Sequence, residues 1–517
     1  MSKVPSQSQT HPWLAGEWPE YDRLHNNMSV ETLVIGAGIA GLTTAYLLAK
    51  EGRDVAVIDA SQPGDGETGN TSAHLSSALD EQFYKLEELF GEEGSRLAAK
   101  SHRSAIDAIE AICEQEQIEC QFERVDGYLF AAKPSDDDSI SKEFDAAKRA
   151  GFEGLELGAK IPFAGFSDAL SLRFPRQAQF QPILYLQGLA RAVKKLGVKI
   201  YGYCEAVEIE GDTLLKVHTR DNFVIKAQHV VMATNTPSNN RFAIHTKQSP
   251  YRTYVATFEI APGAIPKGLY WDSEDPYHYV RTQDINANQS LLIVGGEDHK
   301  VGQEEDAEAC WAKLESWVRA NIPEAGALVK KWSGQVMEPV DGLAFIGRNP
   351  GDSHVYIATG DSGHGLTHGT IAGLVLSDMI IGNNNPWEAL YSPSRINTHA
   401  ESMKEFFKEN LNVAYQYKDY FSPGDVPSLA DVPIGEGAIV RHGLRKIAAY
   451  RDHNNELQCR SAVCPHLGAI VHWNKAEKTW DCPCHGSRFN TDGCVINGPA
   501  VSDLKPVFKD DRLGNYP

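Results

Sequence analysis

The sequence predicts an α/β protein with three parts: a discontinuous domain on a parallel sheet, an antiparallel layer inserted into it, and a C-terminal all-β module. Three observations predict this organisation. A β–α–β unit lies near the start, parallel-type strand and helix patterns return at residues 355–381, and the segment 250–300 alternates apolar and polar residues. Continuous apolar runs indicate buried parallel strands, whereas alternation indicates a half-exposed antiparallel sheet.

The first β–α–β unit comprises residues 31–35, 40–51 and 54–59. An apolar run predicts the first strand, a glycine loop follows it, and helical periodicity ends at Gly52. A second apolar run then predicts the partner strand.

Helical periodicity returns at 81–117 and 182–196, with predicted strands at 199–203 and 230–233. Residues 250–300 then read as antiparallel strands rich in Tyr and Val, inserted before the last parallel strand at 355–360 and the helix at 365–381. After residue 385 the sequence reads as a linker and then as short strands and turns.

Composition and charge exclude several classes of function. The chain has 517 residues and a formal net charge of −20, which argues against binding to nucleic acid or to an anionic membrane face. No apolar run is long enough to predict a membrane span, and the first residues lack a secretory signal pattern, so we expect a cytoplasmic protein. Nine cysteines are too few for a disulfide scaffold.

The motif Gly36-Ala-Gly38-Ile-Ala-Gly41 follows the first strand and opens the first helix, as in a Rossmann-like dinucleotide-binding domain. Gly36 permits the tight turn, Gly38 lets a pyrophosphate approach the helix N-terminus, and Gly41 lets helix and strand pack closely. Asp59 ends the second strand, where a carboxylate can bind ribose hydroxyls. Ala60 disfavours a 2′-phosphate, and the presence of one such motif predicts one dinucleotide, NAD or FAD.

Four ordered motifs resemble the D-amino-acid oxidase/glycine oxidase family over roughly residues 30–385: 36–41, 68–73, 341–347 and 358–367. The resemblance implies FAD, although Asp59 stands where the family more often has Glu. It implies that the cofactor is contacted by Asn70, Thr71, Ser72, Ala73, Val207, Ala233, Gly360, Gly363, Gly365, Leu366 and Thr367. A helix N-terminus at 363–367 would stabilise the negative charge of reduced flavin.

The resulting domain prediction has an N-terminal arm at 1–29 and an FAD-dependent oxidoreductase at 30–395. FAD-binding parts are expected at about 30–80, 180–240 and 335–385, and the substrate layer at about 81–180 and 241–334. A linker at 396–425 leads to the last module at 426–517.

In the last module, Cys464-Pro-His466 and Cys482-Pro-Cys-His485 give one Cys and one His from each of two loops. This set suits a Rieske [2Fe–2S] cluster, in which two thiolates hold one iron and two imidazoles the other. A Cys₂His₂ zinc site uses the same ligand types. The flanking residues 467–468, 486–489 and 497–500 resemble the three cluster loops of Rieske proteins.

The resemblance also predicts the cluster's electronic setting. Ala469 stands where respiratory Rieske proteins have the cysteine that would pair with Cys484, so we expect no bridge and a small buried Cys484. Ser487 keeps a hydroxyl donor, but Phe489 replaces a tyrosine donor. We therefore expect a lower-potential cluster within the Rieske range.

Substrate residues are predicted from the inserted layer. Arg281 aligns by resemblance with the arginine that binds substrate carboxylate in glycine-oxidase-like enzymes, and a bidentate clamp suits that role. An exposed strand arginine is the alternative. Arg252 and Tyr254 are further catalytic candidates, and His364 lies in the loop predicted to face the flavin, where packing is an equal alternative.

The sequence supports two hypotheses of different classes. In the first, an enzyme oxidises an amine or amino-acid-like C–N bond at FAD, and electrons pass through the Rieske cluster to an external carrier, or in reverse. In the second, the chain is an electron-transfer or redox-sensing module without an organic substrate. An NADH-fed reductase is disfavoured by the missing second glycine motif, and an oxygenase by the missing mononuclear-iron domain.

Overall fold

The computed structural model describes residues 13, 17–237, 244–304, 306–397 and 399–507, and only the backbone of residue 401. In these residues the helices are α1 (Ile39–Lys50), α2 (Glu67–Asn70), α3 (Phe83–Glu116), α4 (Asp137–Arg149), α5 (Pro182–Lys195), α6 (Ala307–Asn321), α7 (Gly365–Ile381), α8 (Glu388–Tyr391) and α9 (Ala400–Gln416). The first twelve strands are β1 (Met28–Ile35), β2 (Val55–Ile58), β3 (His74–Leu75), β4 (Glu123–Phe130), β5 (Glu156–Leu157), β6 (Ser171–Gln179), β7 (Lys199–Tyr201), β8 (Ala206–Glu210), β9 (Leu215–Thr219), β10 (Val224–Met232), β11 (Gln248–Ile260) and β12 (Leu269–Asp272). The next twelve are β13 (His278–Asn286), β14 (Gln289–Lys300), β15 (Leu328–Pro339), β16 (Phe345–Arg348), β17 (Val355–Thr359), β18 (Glu436–His442), β19 (Arg445–Arg451), β20 (Leu457–Ser461), β21 (His472–Asn474), β22 (Thr479–Asp481), β23 (Arg488–Phe489) and β24 (Val495–Asn497).

The first sheet carries the glycine loop. Its order is β16-β17-β10-β1-β2-β7, and β17, β10, β1, β2 and β7 run parallel. Leu33 and Val34 of β1 are fully buried because both faces of this sheet are covered, which explains the apolar run in the sequence. The sheet joins β1 to β17 through β10, so the predicted discontinuous α/β domain is confirmed.

Helices α1 and α7 pack against each other beside this sheet. A Cβ on Gly373 of α7 would come within 2.4 Å of the Thr43 side chain of α1. The two helices therefore approach closely, and their N-termini lie in loops that follow β1 and β17. The predicted long helix at 81–117 is α3, and it is interrupted at Gly91, whose φ is +71°.

The second sheet is the inserted layer, with order β15-β11-β14-β13-β12-β4-β6-β3 and β5 at its side. Its strands come from both predicted parts of the substrate layer. One detail differs from the antiparallel prediction, because β12 pairs with β4 in parallel. These two strands come from separate chain segments, so no hairpin sets their relative direction.

The C-terminal module contains a three-stranded sheet, β18-β19-β20, and a four-stranded sheet, β21-β22-β23-β24. Trp480 is fully buried between its loops and strands. The preceding segment 396–425, predicted as a linker, is mostly helical, since α9 occupies 17 of its residues. Among the described residues, no helix has both the length and the apolar character that crossing a membrane requires.

Candidate active site and iron–sulfur centre

The glycine loop between β1 and α1 has the shape that a pyrophosphate requires. Gly36 has φ +104°, and a Cβ there would lie 2.3 Å from the Ala233 carbonyl oxygen. A Cβ on Gly41 would lie 1.9 Å from the Gly36 carbonyl oxygen. Among the described residues, the neighbour within 4 Å of such an atom on Gly38 is Thr68 Oγ1, at 3.1 Å, and α1 begins there without an acidic first turn. The positive helix end therefore remains available to an anion, as FAD requires.

Asp59 lies at the end of β2 beside this loop. Its carboxylate accepts hydrogen bonds from Ala37 N–H at 2.7 Å and from Ser61 N–H at 2.9 Å. Burial raises the pKa of Asp59, and these hydrogen bonds oppose the rise. The adenine-side candidate Val207 lies in β8, which extends the same sheet through β9.

The predicted flavin-contacting segment 70–73 runs from the end of α2 into β3. The Asn70 carbonyl accepts a hydrogen bond from Trp332 Nε1 at 2.8 Å, and Thr71 Oγ1 accepts one from Ala73 N–H at 3.1 Å. Ser72 Oγ lies 3.1 Å from His74 Nδ1. These contacts tie the segment to β15 of the inserted layer, at the boundary between the two sheets.

The second predicted flavin loop leads into α7. Gly360 and Gly363 have φ of +75° and +71°, and Leu366 and Thr367 are buried. The α7 N-terminus, from Gly365, has no acidic residue in its first turn and no side-chain cap. Its positive end therefore suits the negative charge of a reduced flavin.

His364 lies in a cluster with Asp80 and Tyr277, two residues that the sequence did not indicate as part of the site. Its Nε2 lies 3.1 Å from the Asp80 backbone nitrogen and 3.3 Å from Asp80 Oδ1. Tyr277 donates its hydroxyl to Asp80 Oδ2 at 2.9 Å, and a Cβ on Gly363 would lie 2.6 Å from that oxygen. The cluster Asp80–Tyr277–His364 thus lies against the α7 loop, and the Asp80 side chain is 32% exposed.

Charge at this cluster is set by burial and by neighbours. Burial raises the pKa of Asp80, but His364 and the Tyr277 hydroxyl outweigh it and hold that pKa below its usual value. Burial raises the pKa of Asp298 to about 7. Burial and the Arg281 charge lower the pKa of His74 to about 3. At neutral pH Asp80 is therefore ionised, whereas His74, which lies near the cluster, is neutral.

Arg281 points inward, not to solvent, and its side chain is fully buried. Its Nη1 donates to the carbonyl oxygens of Ala73 at 2.7 Å and Phe180 at 3.3 Å, and its Nη2 contacts Gln283. The Trp13 ring covers the guanidinium at 5.5 Å. Burial lowers the pKa of Arg281 to about 9. In the described part of the chain it forms no ion pair.

The structure separates Arg252 and Tyr254 from this group. Arg252 pairs with Glu477 of the C-terminal module, and both side chains are almost fully buried. Tyr254 donates to or accepts from His299 Nε2 at 2.7 Å and packs edge-on against Trp311. Arg252 is therefore paired with a carboxylate of its own chain.

The four predicted iron ligands lie together at the tips of two loops. The sulfur atoms of Cys464 and Cys482 are in hydrogen-bond contact, and the rings of His466 and His485 have centroids 5.0 Å apart. Two sulfurs on one side and two imidazoles on the other suit a two-iron cluster. Ser487 hydrogen-bonds to Cys464 and accepts Ala500 N–H at 3.0 Å.

Cys484 forms no disulfide, as the sequence predicts. Its Sγ contacts the Val413 carbonyl oxygen of α9 at 3.7 Å, and Ala469 is buried in the same core. Helix α9 and the turn after it hold the first ligand loop instead. Tyr417 donates to the Leu467 carbonyl at 2.7 Å and Tyr420 to the Gly468 carbonyl at 2.5 Å.

Comparison with known proteins agrees with both halves of this description. The FAD dependent oxidoreductase family matches residues 31–379, and the Rieske [2Fe-2S] domain matches residues 423–509. The chain is 30% identical over 496 residues to YhfW, a Rieske 2Fe-2S iron-sulfur protein of Bacillus subtilis, covering 95% of this chain and 96% of that one.

Two further comparisons match the part of the chain that contains the oxidoreductase domain. Gamma-glutamylputrescine oxidoreductase of Escherichia coli is 23% identical over 388 residues, covering 72% of this chain and 89% of that protein. The structure of glycine oxidase from Geobacillus kaustophilus superposes with a TM-score of 0.61 at 18% identity, covering 71% of this chain and 99% of that one. At that identity the superposition establishes the fold alone.

Proposed function

Because the chain belongs to the FAD-dependent oxidoreductase family and carries a C-terminal Rieske domain, we propose that it dehydrogenates a C–N bond of an amine or amino-acid-like substrate. Electrons would then pass between FAD and the cluster to an external carrier. FAD and a [2Fe–2S] cluster are the cofactors, and the Rieske match excludes the zinc alternative. FAD supplies hydride acceptance, and the cluster supplies one-electron transfer.

The observation that carries the proposal is the cluster Asp80–Tyr277–His364 against the loop before α7. An ionised Asp80 beside the proposed flavin loop can bind an ammonium group, since a carboxylate held by hydrogen bonds is an effective cation partner. Tyr277 and His364 orient that carboxylate through contacts at 2.9 and 3.3 Å. Binding in this orientation would present the substrate C–H to the cofactor.

An amine must lose its extra proton before its C–H can leave with two electrons. We assign proton acceptance to Asp298, whose pKa of about 7 suits exchange at neutral pH. Asp298 is hydrogen-bonded to Thr253, whose hydroxyl lies 2.9 Å from the Tyr279 hydroxyl. The Asp298 charge also contributes to the raised pKa of Tyr277, so the two side chains lie within electrostatic range of each other.

Arg281 remains the proposed contact for a substrate carboxylate. A buried guanidinium without an anionic partner is costly, so an anion that binds beside it gains free energy. The charges of Asp80 and Arg281 both act on the pKa of His74, so both side chains lie within electrostatic range of it. An amino acid, with an ammonium and a carboxylate, matches that pair of charges.

The burial of Arg281 is also compatible with the second hypothesis, an electron-transfer or redox-sensing module. Trp13 covers its guanidinium, and the backbone carbonyls of Ala73 and Phe180 already accept its N–H groups. A closed site of this kind would suit an electron-transfer module without a substrate. The cytoplasmic location and the external carrier stay proposals as well.

Anaerobic mixing with matched compounds separates these possibilities. Ornithine and putrescine differ by one carboxylate, as do N-methylalanine and N-methylethylamine, and flavin bleaching reports reduction by each. Reduction by the amino acids, lost in Arg281→Met while the amines still react, supports the carboxylate contact. Reduction by the amines alone supports dehydrogenation but removes the role of Arg281. If none of the four, nor a wider set of amines, bleaches the flavin, the substrate-free module replaces the enzyme.

A further inference from the structure

One side chain of the oxidoreductase domain touches both histidine ligands of the cluster. His245 precedes β11 and is 3% exposed. Its ring centroid lies 4.9 Å from that of His466 and 6.0 Å from that of His485, with interplanar angles of 76° and 67°. The two ligand rings come from different loops, so His245 packs edge-on at the point where those loops meet.

The segment of His245 is joined to the loop before α7. Gln248 Nε2 donates to Thr359 Oγ1 at 3.1 Å, and that hydroxyl donates to the Asn235 carbonyl at 2.5 Å. Thr359 adjoins Gly360, and Asn235 lies close to Ala233, both of them proposed contacts of FAD. Only two residues therefore lie between His245 at the cluster and Gln248, which is hydrogen-bonded to the proposed cofactor loops.

A second contact joins the second ligand loop to the segment that leads to Asn70. Gln335 Nε2 donates to the carbonyl of Gly486, the residue after His485, at 3.2 Å. The backbone N–H of Gln335 donates to Glu67 Oε2 at 2.9 Å. The other oxygen of Glu67 accepts Asn497 Nδ2 at 3.0 Å, from the third cluster loop. One carboxylate thus accepts hydrogen bonds from both domains.

The fit between the domains is tight at these points. A Cβ on Gly486 would lie 2.5 Å from Pro250 Cβ and 2.6 Å from Gln335 Nε2. The Lys300 ammonium contacts both Glu409 oxygens at 2.6 Å, which fastens α9 to β14 at the edge of this interface. The histidine side of the cluster site therefore faces the oxidoreductase domain and is held there.

We propose that His245 is a positioning residue for electron exchange: it fixes the planes of both histidine ligands and couples the docked cluster to the flavin domain. The inference rests on the proposed passage of electrons between FAD and the cluster. FAD would supply the two electrons one at a time, and the cluster that Cys464, Cys482, His466 and His485 would hold would accept each in turn. A one-electron carrier outside the chain would take each electron from the cluster before the next is transferred. Gln335 supports the same docking through Gly486.

The test compares the holoenzyme with His245→Ala, His245→Phe and Gln335→Ala. Two readouts are taken: the electron paramagnetic resonance spectrum of the dithionite-reduced cluster, and the rate at which the cluster is reduced after anaerobic photoreduction of the flavin. His229→Ala is the matched control, because His229 also packs on a histidine and a tyrosine but lies on β10, away from the cluster. Iron content, flavin absorbance and thermal unfolding report folding.

Loss of the ring should shift the g-values and slow flavin-to-cluster transfer by roughly tenfold or more, as for other residues that orient metal ligands. His245→Phe, which keeps a flat ring, should restore most of both properties, and Gln335→Ala should slow transfer with a smaller spectral change. Unchanged spectra and rates in His245→Ala overturn the role of His245 while the proposed function stands. If photoreduced flavin never reduces the wild-type cluster, the proposed electron path fails and this inference fails with it.

Discussion

Arg252 on β11 and Glu477 in the Rieske domain form an ion pair whose side chains are 2% and 4% exposed. The carboxylate also lies 3.0 Å from Arg488, which in turn lies 3.0 Å from Asp481. The pair crosses from one domain to the other. The buried charge of Arg252 is therefore compensated only in the docked arrangement, whereas Glu477 also has Arg488 of its own domain as a partner.

Removing one partner of this pair should therefore loosen the docking. We expect Arg252→Met to destabilise the protein by about 3–5 kcal/mol, because Glu477 would keep a buried charge with less compensation. Thermal and urea unfolding of the holoenzyme measure this change. Arg319→Met breaks an exposed pair with Glu315 on α6 and serves as the control, for which little change is expected. An equally small effect at Arg252 would contradict the docking account.

The same pair predicts a pH dependence of stability. Although burial alone raises the pKa of Glu477, Arg252 and Arg488 outweigh it and hold that pKa far below its usual value. A depressed carboxylate pKa contributes stability above the unfolded pKa, and this contribution is lost as the pH falls through the unfolded pKa toward the folded one. The stability of the wild type should therefore begin to fall as the pH drops through 4.5, the usual pKa of a glutamate, and should continue to fall below it. Glu477→Gln should show a flatter stability profile below pH 5.

Proton acceptance by Asp298 predicts the pH profile of the reductive step. Because its pKa is raised to about 7, the carboxyl is protonated below that pH and cannot accept a proton. The rate of flavin bleaching by an amine should rise with pH through about 7, and Asp298→Asn should lower it roughly 10²- to 10⁴-fold and remove this limb. Asp284→Asn, at the far end of β13, is the control. A pH profile that is the same in wild type and Asp298→Asn would rule out this role.

The midpoint potential of the cluster should depend on the hydroxyl groups that donate hydrogen bonds around it. Ser487 hydrogen-bonds to Cys464, whereas Phe489 has no hydroxyl to donate. We expect Ser487→Ala to lower the midpoint potential and Phe489→Tyr to raise it, within the Rieske range of roughly −150 to +300 mV. Potentiometric titration followed by electron paramagnetic resonance measures both. A wild-type potential near the top of that range would contradict the expected low-potential cluster.

Removal of one iron ligand should separate substrate oxidation at FAD from electron transfer to an external acceptor. Cys464→Ser should lose iron and sulfide and the paramagnetic signal of the reduced cluster, while FAD and its bleaching by substrate are retained. Reduction of a one-electron acceptor protein should then stop, because the route through the cluster is missing. Continued reduction of that acceptor at the wild-type rate would show that electrons leave from FAD directly.

Much of the fold could be predicted because its signals are local. The strand β1, the glycine loop and α1 occupy one continuous segment, and the apolar run and helical period can be read without knowing the rest of the chain. The ligand pairs Cys464–His466 and Cys482–His485 are likewise short motifs. Helix α9 has a local signal as well, since Met403, Phe407, Leu411 and Tyr415 recur every fourth residue, close to the period of a helix.

The site itself depends on contacts that no local pattern contains. Asp80 and His364 are 284 positions apart, and Arg252 and Glu477 are 225 apart. Only the folded chain brings each pair together. Arg281 illustrates the limit of a resemblance: its contacts with Ala73 and Phe180 depend on packing that a sequence pattern does not specify.

The most direct test of the whole account is one anaerobic experiment on purified protein replete with FAD and iron. An amine or amino acid that bleaches the flavin is added, and samples are frozen at intervals for electron paramagnetic resonance. We predict that a Rieske signal of the reduced cluster appears as the flavin is reduced. A bleached flavin beside a cluster that stays oxidised and silent would contradict electron exchange between the two centres.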